Sequence, residues 1–188
     1  MTDTYFFGYG SLVNRATHVH EPAFPARLKG WRRVWKSTVL RELAFLSAEP
    51  WEGAEIDGLL AHVPGADFSQ LDIRERAYDR HEVSALCEHR AGEVRVEVYA
   101  VSPQHGAAPD VAHLILLSYI DTVVQGFHDI FGEAGALAFF DTTAGWGGPV
   151  LDDRAAPQYP RAVKVTAAER DFVDAALARL GVEPMVEG

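Results

Sequence analysis

Hydrophobic and polar positions alternate with a period of two over much of the first half of the chain. This period is typical of strands with one buried face, and turn residues separate the alternating runs. The strands predicted in this way begin at Tyr5 and then cover residues 30–36, 43–48 and 56–63, with the connection over 49–55. The pattern therefore favours a mostly antiparallel sheet.

A helical period replaces the two-residue period in three later segments. Asp67 is expected to cap a short helix that runs to about residue 76. Apolar residues at helical spacing predict one long helix over 110–131 that packs on the sheet. A capping box at Thr166 and Glu169 begins a final helix, which Gly181 ends. Strands and helices together predict one α+β domain spanning residues 1–188.

Three further segments have weaker patterns. Residues 82–88 and 95–101 alternate around a central glycine, which predicts a β-hairpin with Cys87 as a small buried residue. The polar segment 14–27 is expected to be a loop or a short broken helix. Residues 139–163 are irregular and long enough for a lid, a pocket wall, a subunit contact or a passive surface loop. Its candidate functional residues are Trp146, Arg154, Tyr159 and Arg161.

Composition narrows the function classes. The chain has 188 residues, of which 48% are hydrophobic and 23% charged, as in soluble globular proteins. The 27 acidic and 17 basic residues give a net charge of −10, which argues against nucleic acid as a partner. No apolar run is long enough to cross a membrane, and no signal peptide is recognisable. With a single cysteine, a reducing, cytoplasmic location is expected.

The stretch Gly8–Leu12 follows the first strand and is the main candidate ligand loop. Its glycines are expected to allow positive φ and close approach of a ligand, while Ser11 can cap a turn and leave N–H groups for an anion. Val13 stands where a dinucleotide fingerprint needs glycine, and the phosphate-loop and hydrolase-elbow motifs are also absent. An ordinary strand-to-loop turn is the alternative.

Glu75 is the main candidate catalytic residue. On an ideal helix it lies close to the apolar face of Phe68, so its carboxylate is expected to point inward. A charged group in that position requires a partner or a function. It either pairs with Arg74 or Arg80, or it lies at the floor of a polar cavity with a raised pKa. The adjacent arginines Arg32 and Arg33 fall on opposite faces of their strand, so one of them can face a pocket.

Four segments, in order and with comparable spacing, resemble the γ-glutamylcyclotransferases, and among these most closely the ChaC branch. They are residues 7–12 (FGYGSL), 30–35 (GWRRVW), 58–64 (GLLAHVP) and 71–78 (LDIRERAY). The resemblance covers roughly the first 100 residues. It implies a sheet curled into a small β-barrel, flanked by helices. It also implies Glu75 as the catalytic residue and, as substrate-binding residues, Tyr9, Gly10, Ser11, Leu12, Arg32 and Tyr78.

The activity implied by the resemblance is cyclisation of a γ-glutamyl amide or peptide, glutathione being one candidate, to 5-oxoproline without cofactor or metal. The α-amine of the substrate attacks its own γ-carbonyl, and one carboxylate moves the proton. The expected partner is a small-molecule γ-glutamyl substrate, and a homodimer is compatible with the sequence. Two alternatives stay open: a non-catalytic module that binds a small anion, with Glu75 locked in a salt bridge, and a metal-dependent hydrolase built on the eight histidines.

Overall fold

The computed structural model describes residues 2–108 and 110–186, which form two sheets and three helices. The strands are β1 (Thr4–Gly8), β2 (Ala23–Thr38), β3 (Arg41–His62), β4 (Tyr78–Glu82), β5 (Cys87–Glu88), β6 (Arg95–Val101), β7 (Ile115–Leu116), β8 (Thr143–Ala144), β9 (Val150–Asp152) and β10 (Met185–Val186). The helices are α1 (Ser69–Arg74), α2 (Leu117–Asp141) and α3 (Ala167–Arg179). Within the described residues, no helix has the length and apolar character that crossing a membrane requires.

The main sheet has the strand order β4-β6-β1-β3-β2-β5, and β8 also pairs with β2. Its pairs are antiparallel except β1 with β6 and β2 with β8. The sheet curls into a half-barrel, so the predicted α+β fold, with a curled and mostly antiparallel sheet flanked by helices, is confirmed. The long β2 and β3 contribute to this curl because twist accumulates along them and bulges interrupt their pairing.

Two strands predicted from the sequence are parts of one. The segment 49–55, predicted as a connection, belongs to β3 and pairs with β2 at both of its ends. Between the pairs Lys29↔Glu55 and Trp31↔Pro50, the residues 51–54 have only Gly30 opposite them. The proline and glycine that indicated a loop therefore mark a bulge inside a strand.

The predicted hairpin over 82–88 and 95–101 is wrong. Residue 82 ends β4, which pairs with β6, whereas Cys87 belongs to β5 and pairs with Leu28 of β2 near the opposite edge of the sheet. A 3₁₀ turn at Ser84–Leu86 separates the two strands, and alternation does not reveal that separation. Cys87 is buried, as predicted.

Helix boundaries also shift from the prediction. The long helix begins at Leu117 rather than residue 110, because Ile115–Leu116 pairs with β9 as a short strand. It continues to Asp141 across a break at Gly132, where φ is 69°. At α1, Asp67 accepts a hydrogen bond from the Ser69 amide, but the helix begins two residues after it.

Two other predictions have mixed outcomes. The capping box at Thr166 and Glu169 is confirmed in both directions. The predicted loop over 14–27 holds as far as residue 22, with a 3₁₀ turn at Arg15–Thr17, but β2 begins at Ala23.

The hydrophobic core lies between the main sheet and α2, with α3 packed against the same core. Strand β1 is buried along its whole length. Because β1 runs through the core, its end delivers the Gly8–Leu12 loop into the interior of the protein.

Candidate functional site

A small hollow of about 30 Å³ lies at the end of β1. Its walls come from Phe7, from the Gly8–Leu12 loop and from five side chains of other segments. These side chains are Leu46, Glu75, Tyr78, Tyr99 and Tyr119. The fold therefore brings the predicted loop and the predicted catalytic glutamate to one place.

The two glycines of the loop are needed for space rather than for positive φ. Gly10 has a φ of −126°, and Gly8 is likewise outside the left-handed region. A Cβ on Gly10 would lie 2.6 Å from the Tyr119 hydroxyl, and one on Gly8 would lie 2.7 Å from the Cβ of Leu12. The expectation of positive φ is therefore wrong. The space at these glycines is taken by Leu12 and Tyr119, and the close approach of a ligand stays a prediction.

Ser11 does not cap a turn with its side chain. It begins a 3₁₀ turn that has Gly10 at its N-cap position and no side-chain cap. The Ser11 hydroxyl instead accepts a hydrogen bond from Arg74 Nη2 at 3.2 Å. The loop is thus attached through Ser11 to the end of α1.

Arg33 is the arginine of β2 that points inward. Its guanidinium donates to the carbonyl oxygen of Tyr9 at 2.9 Å, to that of Asp57 at 2.5 Å and to Thr142 Oγ1 at 2.7 Å. Burial lowers the pKa of Arg33 to about 9, so the side chain stays charged at neutral pH. Arg33 fixes the backbone of the loop that forms the hollow.

Arg32 lies outside the hollow, which corrects its predicted place among the substrate-binding residues. Its guanidinium pairs with Glu49 at 2.6 Å and stacks on the Trp51 ring, 3.3 Å from the centroid. Successive side chains on a strand point to opposite faces, and the core takes Arg33. The two-residue period predicted opposite faces but not which face the fold would cover.

Glu75 lies directly after α1, and its side chain is 15% exposed. Its Oε1 lies 3.0 Å from Arg74 Nε. Burial raises the pKa of Glu75 above its ordinary value, against the opposing charges of Arg74 and Arg161. The carboxylate therefore holds a proton more readily than an exposed glutamate.

Arg74 connects this carboxylate to the loop. Besides the pair with Glu75, its guanidinium donates to the Thr17 carbonyl oxygen at 2.8 Å and to the Ser11 hydroxyl. Arg80, the other predicted partner of Glu75, pairs with Asp72 at 3.0 Å instead. Glu75 is thus both ion-paired and part of the wall of the hollow.

Four tyrosines line the hollow together with Glu75, and the hydroxyls of three of them donate to backbone and side-chain acceptors. Tyr9 donates to the Tyr99 carbonyl at 2.6 Å, Tyr78 to the Leu46 carbonyl at 2.9 Å, and Tyr99 to Asp72 at 2.6 Å. Burial is the main cause that raises the pKa of each of these tyrosines and of Tyr119. The hydroxyls therefore stay protonated at neutral pH.

One of the two histidines before β2 supports the loop. His18 Nε2 lies 3.0 Å from the Leu12 carbonyl oxygen, and burial lowers the pKa of His18 to about 4. His20 Nδ1 lies 3.0 Å from the carbonyl oxygen of His62. Over residues 2–108 and 110–186, no group of three or more His, Cys, Asp or Glu side chains is arranged to hold a metal ion.

The four candidate residues of segment 139–163 divide into two groups. Trp146 stacks on Phe140, and Arg154 makes a bidentate pair with the buried Asp121, so both are structural. Tyr159 packs edge-on against Tyr119, with ring centroids 4.9 Å apart. The charge of Arg161 acts on Glu75. The later part of the segment therefore borders the hollow.

One known family matches this chain over more than half of its length. A sequence model described as γ-glutamyl cyclotransferase, AIG2-like, matches residues 6–115, which include the end of β1, the loop, α1 and Glu75. The chain belongs to this family. The resemblance seen in the sequence is thus confirmed for the family, while the ChaC branch stays a prediction.

Solved structures share this fold at low sequence identity. A structure titled γ-glutamyl cyclotransferase is 16% identical, with a TM-score of 0.57 over 92% of this chain and 99% of its own. The structure of an uncharacterised human protein is also 16% identical, with a TM-score of 0.57 over 93% of this chain and 99% of its own. The structure of YkqA from Bacillus subtilis is 19% identical, with a TM-score of 0.55 over 77% of this chain and 57% of its own. No curated protein matches the sequence.

Sequence reasoning missed three members of the site. Tyr119 belongs to the apolar stripe of α2, and a tyrosine on such a stripe is the one signal that could have indicated a polar pocket. Tyr99 and Leu46 alternate like any other strand residues and carry no such signal. These residues line the hollow only because α2, β3 and β6 meet at the end of β1.

Proposed function

We propose that this protein is a γ-glutamylcyclotransferase that releases 5-oxoproline from a γ-glutamyl amide or peptide. The observation that carries the proposal is the part-buried Glu75 carboxylate in the wall of the hollow formed by the Gly8–Leu12 loop. Membership of the family supports the same reaction class.

The reaction is an intramolecular acyl transfer. The α-amino nitrogen of the substrate attacks its γ-carbonyl carbon, a ring C–N bond forms, and the bond to the leaving nitrogen breaks. Glu75 accepts the proton that the attacking nitrogen loses and returns it to the leaving nitrogen. General acid–base catalysis of this kind contributes about 10²–10⁴-fold in rate.

The environment of Glu75 suits this role. A raised pKa makes the carboxylate a stronger base than an exposed glutamate, and it remains a usable acid when protonated. The pair with Arg74 through Oε1 orients the carboxylate. The base is thus held in one direction while burial keeps its proton affinity high.

The loop supplies the other requirement, which is binding of the γ-glutamyl head. Backbone N–H groups of the loop are suited to the α-carboxylate or to the oxyanion that develops on the γ-carbonyl. The anchoring of the Tyr9 carbonyl by Arg33 pre-organises this backbone. Binding in a folded conformation brings amine and carbonyl together and lowers the entropic cost of ring closure.

A non-catalytic module that binds a small anion is the second candidate. The 3.0 Å pair between Arg74 and Glu75 favours it, because an arginine beside the carboxylate neutralises its charge. In this alternative the hollow binds a γ-glutamyl compound without turnover.

A substrate screen distinguishes the two candidates. Purified protein is incubated with γ-glutamyl amino acids, peptides and amines, and 5-oxoproline is measured by mass spectrometry. The expected result is turnover that falls at least about 100-fold in Glu75→Gln, as loss of the acid–base group requires. Glu52→Gln, an exposed glutamate in the β3 bulge, is the matched control and should leave turnover unchanged.

Two results would contradict the enzyme proposal. Unchanged turnover in Glu75→Gln would remove Glu75 from the mechanism. Calorimetric binding of γ-glutamyl compounds by the wild type, with no 5-oxoproline formed from any of them, would favour the binding module.

A further inference from the structure

The segment after β9 is folded onto α2 beside the hollow. The buried Asp153 accepts hydrogen bonds from the amide and the hydroxyl of Ser118 and from the Gln158 amide. Further along, the Val163 amide donates to Thr122 Oγ1 at 3.3 Å. The chain between these two anchors therefore has a defined position on the helix that carries Tyr119.

Arg161 is presented by a turn between those anchors. The Ala162 amide donates to the Tyr159 carbonyl at 3.1 Å, and the Tyr159 ring packs on Tyr119 in the wall of the hollow. The turn thus lies on the outer side of Tyr119. Arg161 does not line the hollow itself, yet its charge opposes the burial effect on the Glu75 pKa.

The Arg161 guanidinium has open donors. It is exposed, and in the described part of the chain it forms no ion pair and no hydrogen bond. Arg74, which pairs with Glu75, is 9% exposed and already engaged by Thr17, Ser11 and Glu75. In a protein with a net charge of −10, an unengaged arginine at the edge of the site is a local attraction for an anion.

In the proposed reaction, the two ends of a γ-glutamyl compound would meet different parts of this site. The loop N–H groups would bind the α-carboxylate of the γ-glutamyl head. The group attached to the γ-carbonyl would then leave the hollow on the side of Tyr119, against which the turn that carries Arg161 packs through Tyr159. A carboxylate on that outer group would match the planar, two-pronged donors of a guanidinium.

We propose that Arg161 determines specificity by binding a carboxylate on the leaving part of the substrate. This inference rests on the proposed function and refines it. Substrates whose leaving part is an amino acid or a peptide with a free carboxylate are favoured over those with a neutral amide or amine. The residue acts through substrate binding, so it changes KM more than kcat.

The test compares two substrates that differ by one charge, γ-glutamyl-alanine and γ-glutamyl-alaninamide. Wild type is expected to favour the acid about tenfold or more in kcat/KM, which is the scale of one charge-assisted contact. Arg161→Gln should bring the ratio close to one, mainly by raising KM for the acid, and Arg161→Lys should retain part of it. Arg90→Gln, also exposed and without an ion pair in the described residues, is the charge-matched control and should leave the ratio unchanged.

Several outcomes would overturn the inference. Equal kcat/KM for both compounds in wild type would remove the preference, and an equal loss on both in Arg161→Gln would assign Arg161 to the α-carboxylate of the head. Calorimetric binding to Glu75→Gln repeats the comparison without turnover. If wild type forms no 5-oxoproline but binds the acid more tightly in an Arg161-dependent way, the proposed reaction fails while the recognition by Arg161 stands. Binding of neither compound would overturn both.

Discussion

The Nε of Arg33 lies 2.9 Å from the carbonyl oxygen of Tyr9, so a buried cation holds the backbone of the candidate substrate loop. The same guanidinium lies 4.8 Å from the Phe127 ring centroid on α2. The loop, β2 and the long helix are therefore connected through one side chain.

Substitution of Arg33 should disrupt both stability and the site. In Arg33→Gln, at least one of the acceptors on Tyr9, Asp57 and Thr142 loses its donor, and each unsatisfied buried acceptor costs about 1–3 kcal/mol. We expect a clear fall in the free energy of unfolding, measured by urea denaturation. Turnover should fall further than the reduced fraction of folded protein explains, because the loop that forms the hollow loses its anchor.

The adjacent arginine provides the control for that experiment. Arg32→Gln removes a part-exposed pair with Glu49, which contributes about 0–1 kcal/mol. A similar effect of both substitutions on stability would contradict the inward role of Arg33.

A methyl group on Gly10 should damage the hollow through a steric clash. The added Cβ would lie 2.6 Å from the Tyr119 hydroxyl and 3.1 Å from Leu46 Cδ2. Overpacking of this kind costs about 1–3 kcal/mol, so Gly10→Ala should lower stability and turnover. Because the hydroxyl is the nearest atom, Gly10→Ala combined with Tyr119→Phe should recover part of the lost stability, as measured in a double-mutant cycle.

Gly147→Ala is the control for the steric argument. Gly147 has no positive φ, and a Cβ there would meet nothing within 4 Å. The substitution should be neutral for stability and turnover. Additive effects of Gly10→Ala and Tyr119→Phe, with no recovery, would show that the clash is not the cause.

The raised pKa of Glu75 predicts a pH-dependent difference in stability. The folded state binds this proton more tightly than the unfolded chain does. The stabilisation is fully present below the ordinary glutamate pKa and is lost as pH rises through the folded-state pKa. Glutamine has no proton to lose, so the Tm of Glu75→Gln minus that of wild type should become more positive from about pH 4 to about pH 8.

Calorimetry in matched buffers checks this prediction, and the sign of the trend is the readout. If the pair with Arg74 outweighed burial, the pKa of Glu75 would be lowered in the folded state. The Tm difference would then become more negative over the same range.

Asp153 should be needed to hold the turn that carries Arg161 in position. Its carboxylate accepts three hydrogen bonds, from Ser118 and Gln158, at the start of α2. Asp153→Ala leaves these donors without their partner, and we expect a loss of at least about 2 kcal/mol together with faster proteolysis within residues 154–163. Asp129→Ala, an exposed position on the same helix, is the control and should behave like wild type.

A normal proteolysis rate in Asp153→Ala would contradict the anchoring role. If the segment instead loosens as expected, the preference for an acidic leaving group should decrease with it, because Arg161 would no longer have a defined position.

Local sequence was sufficient for the elements whose signals lie within a few residues. The end of β1, the capping box of α3 and the position of Glu75 at the end of α1 belong to this class. The predicted element boundaries were wrong where a distant partner decides the structure. Ile115 is a strand residue because β9 lies beside it, and the segment 49–55 stays in β3 because β2 pairs with both of its ends.

By itself, the sequence determined the family, the α+β class, the glycine-containing loop and the identity of the candidate acid, because these depend on short motifs and on the periods of strands and helices. Only the tertiary structure decided which of Arg32 and Arg33 points inward, that Tyr119 lines the hollow, and that the turn of Tyr159 and Arg161 packs against Tyr119. The physical reason is that a period assigns side chains to faces, whereas burial, charge and contact depend on which distant element covers each face.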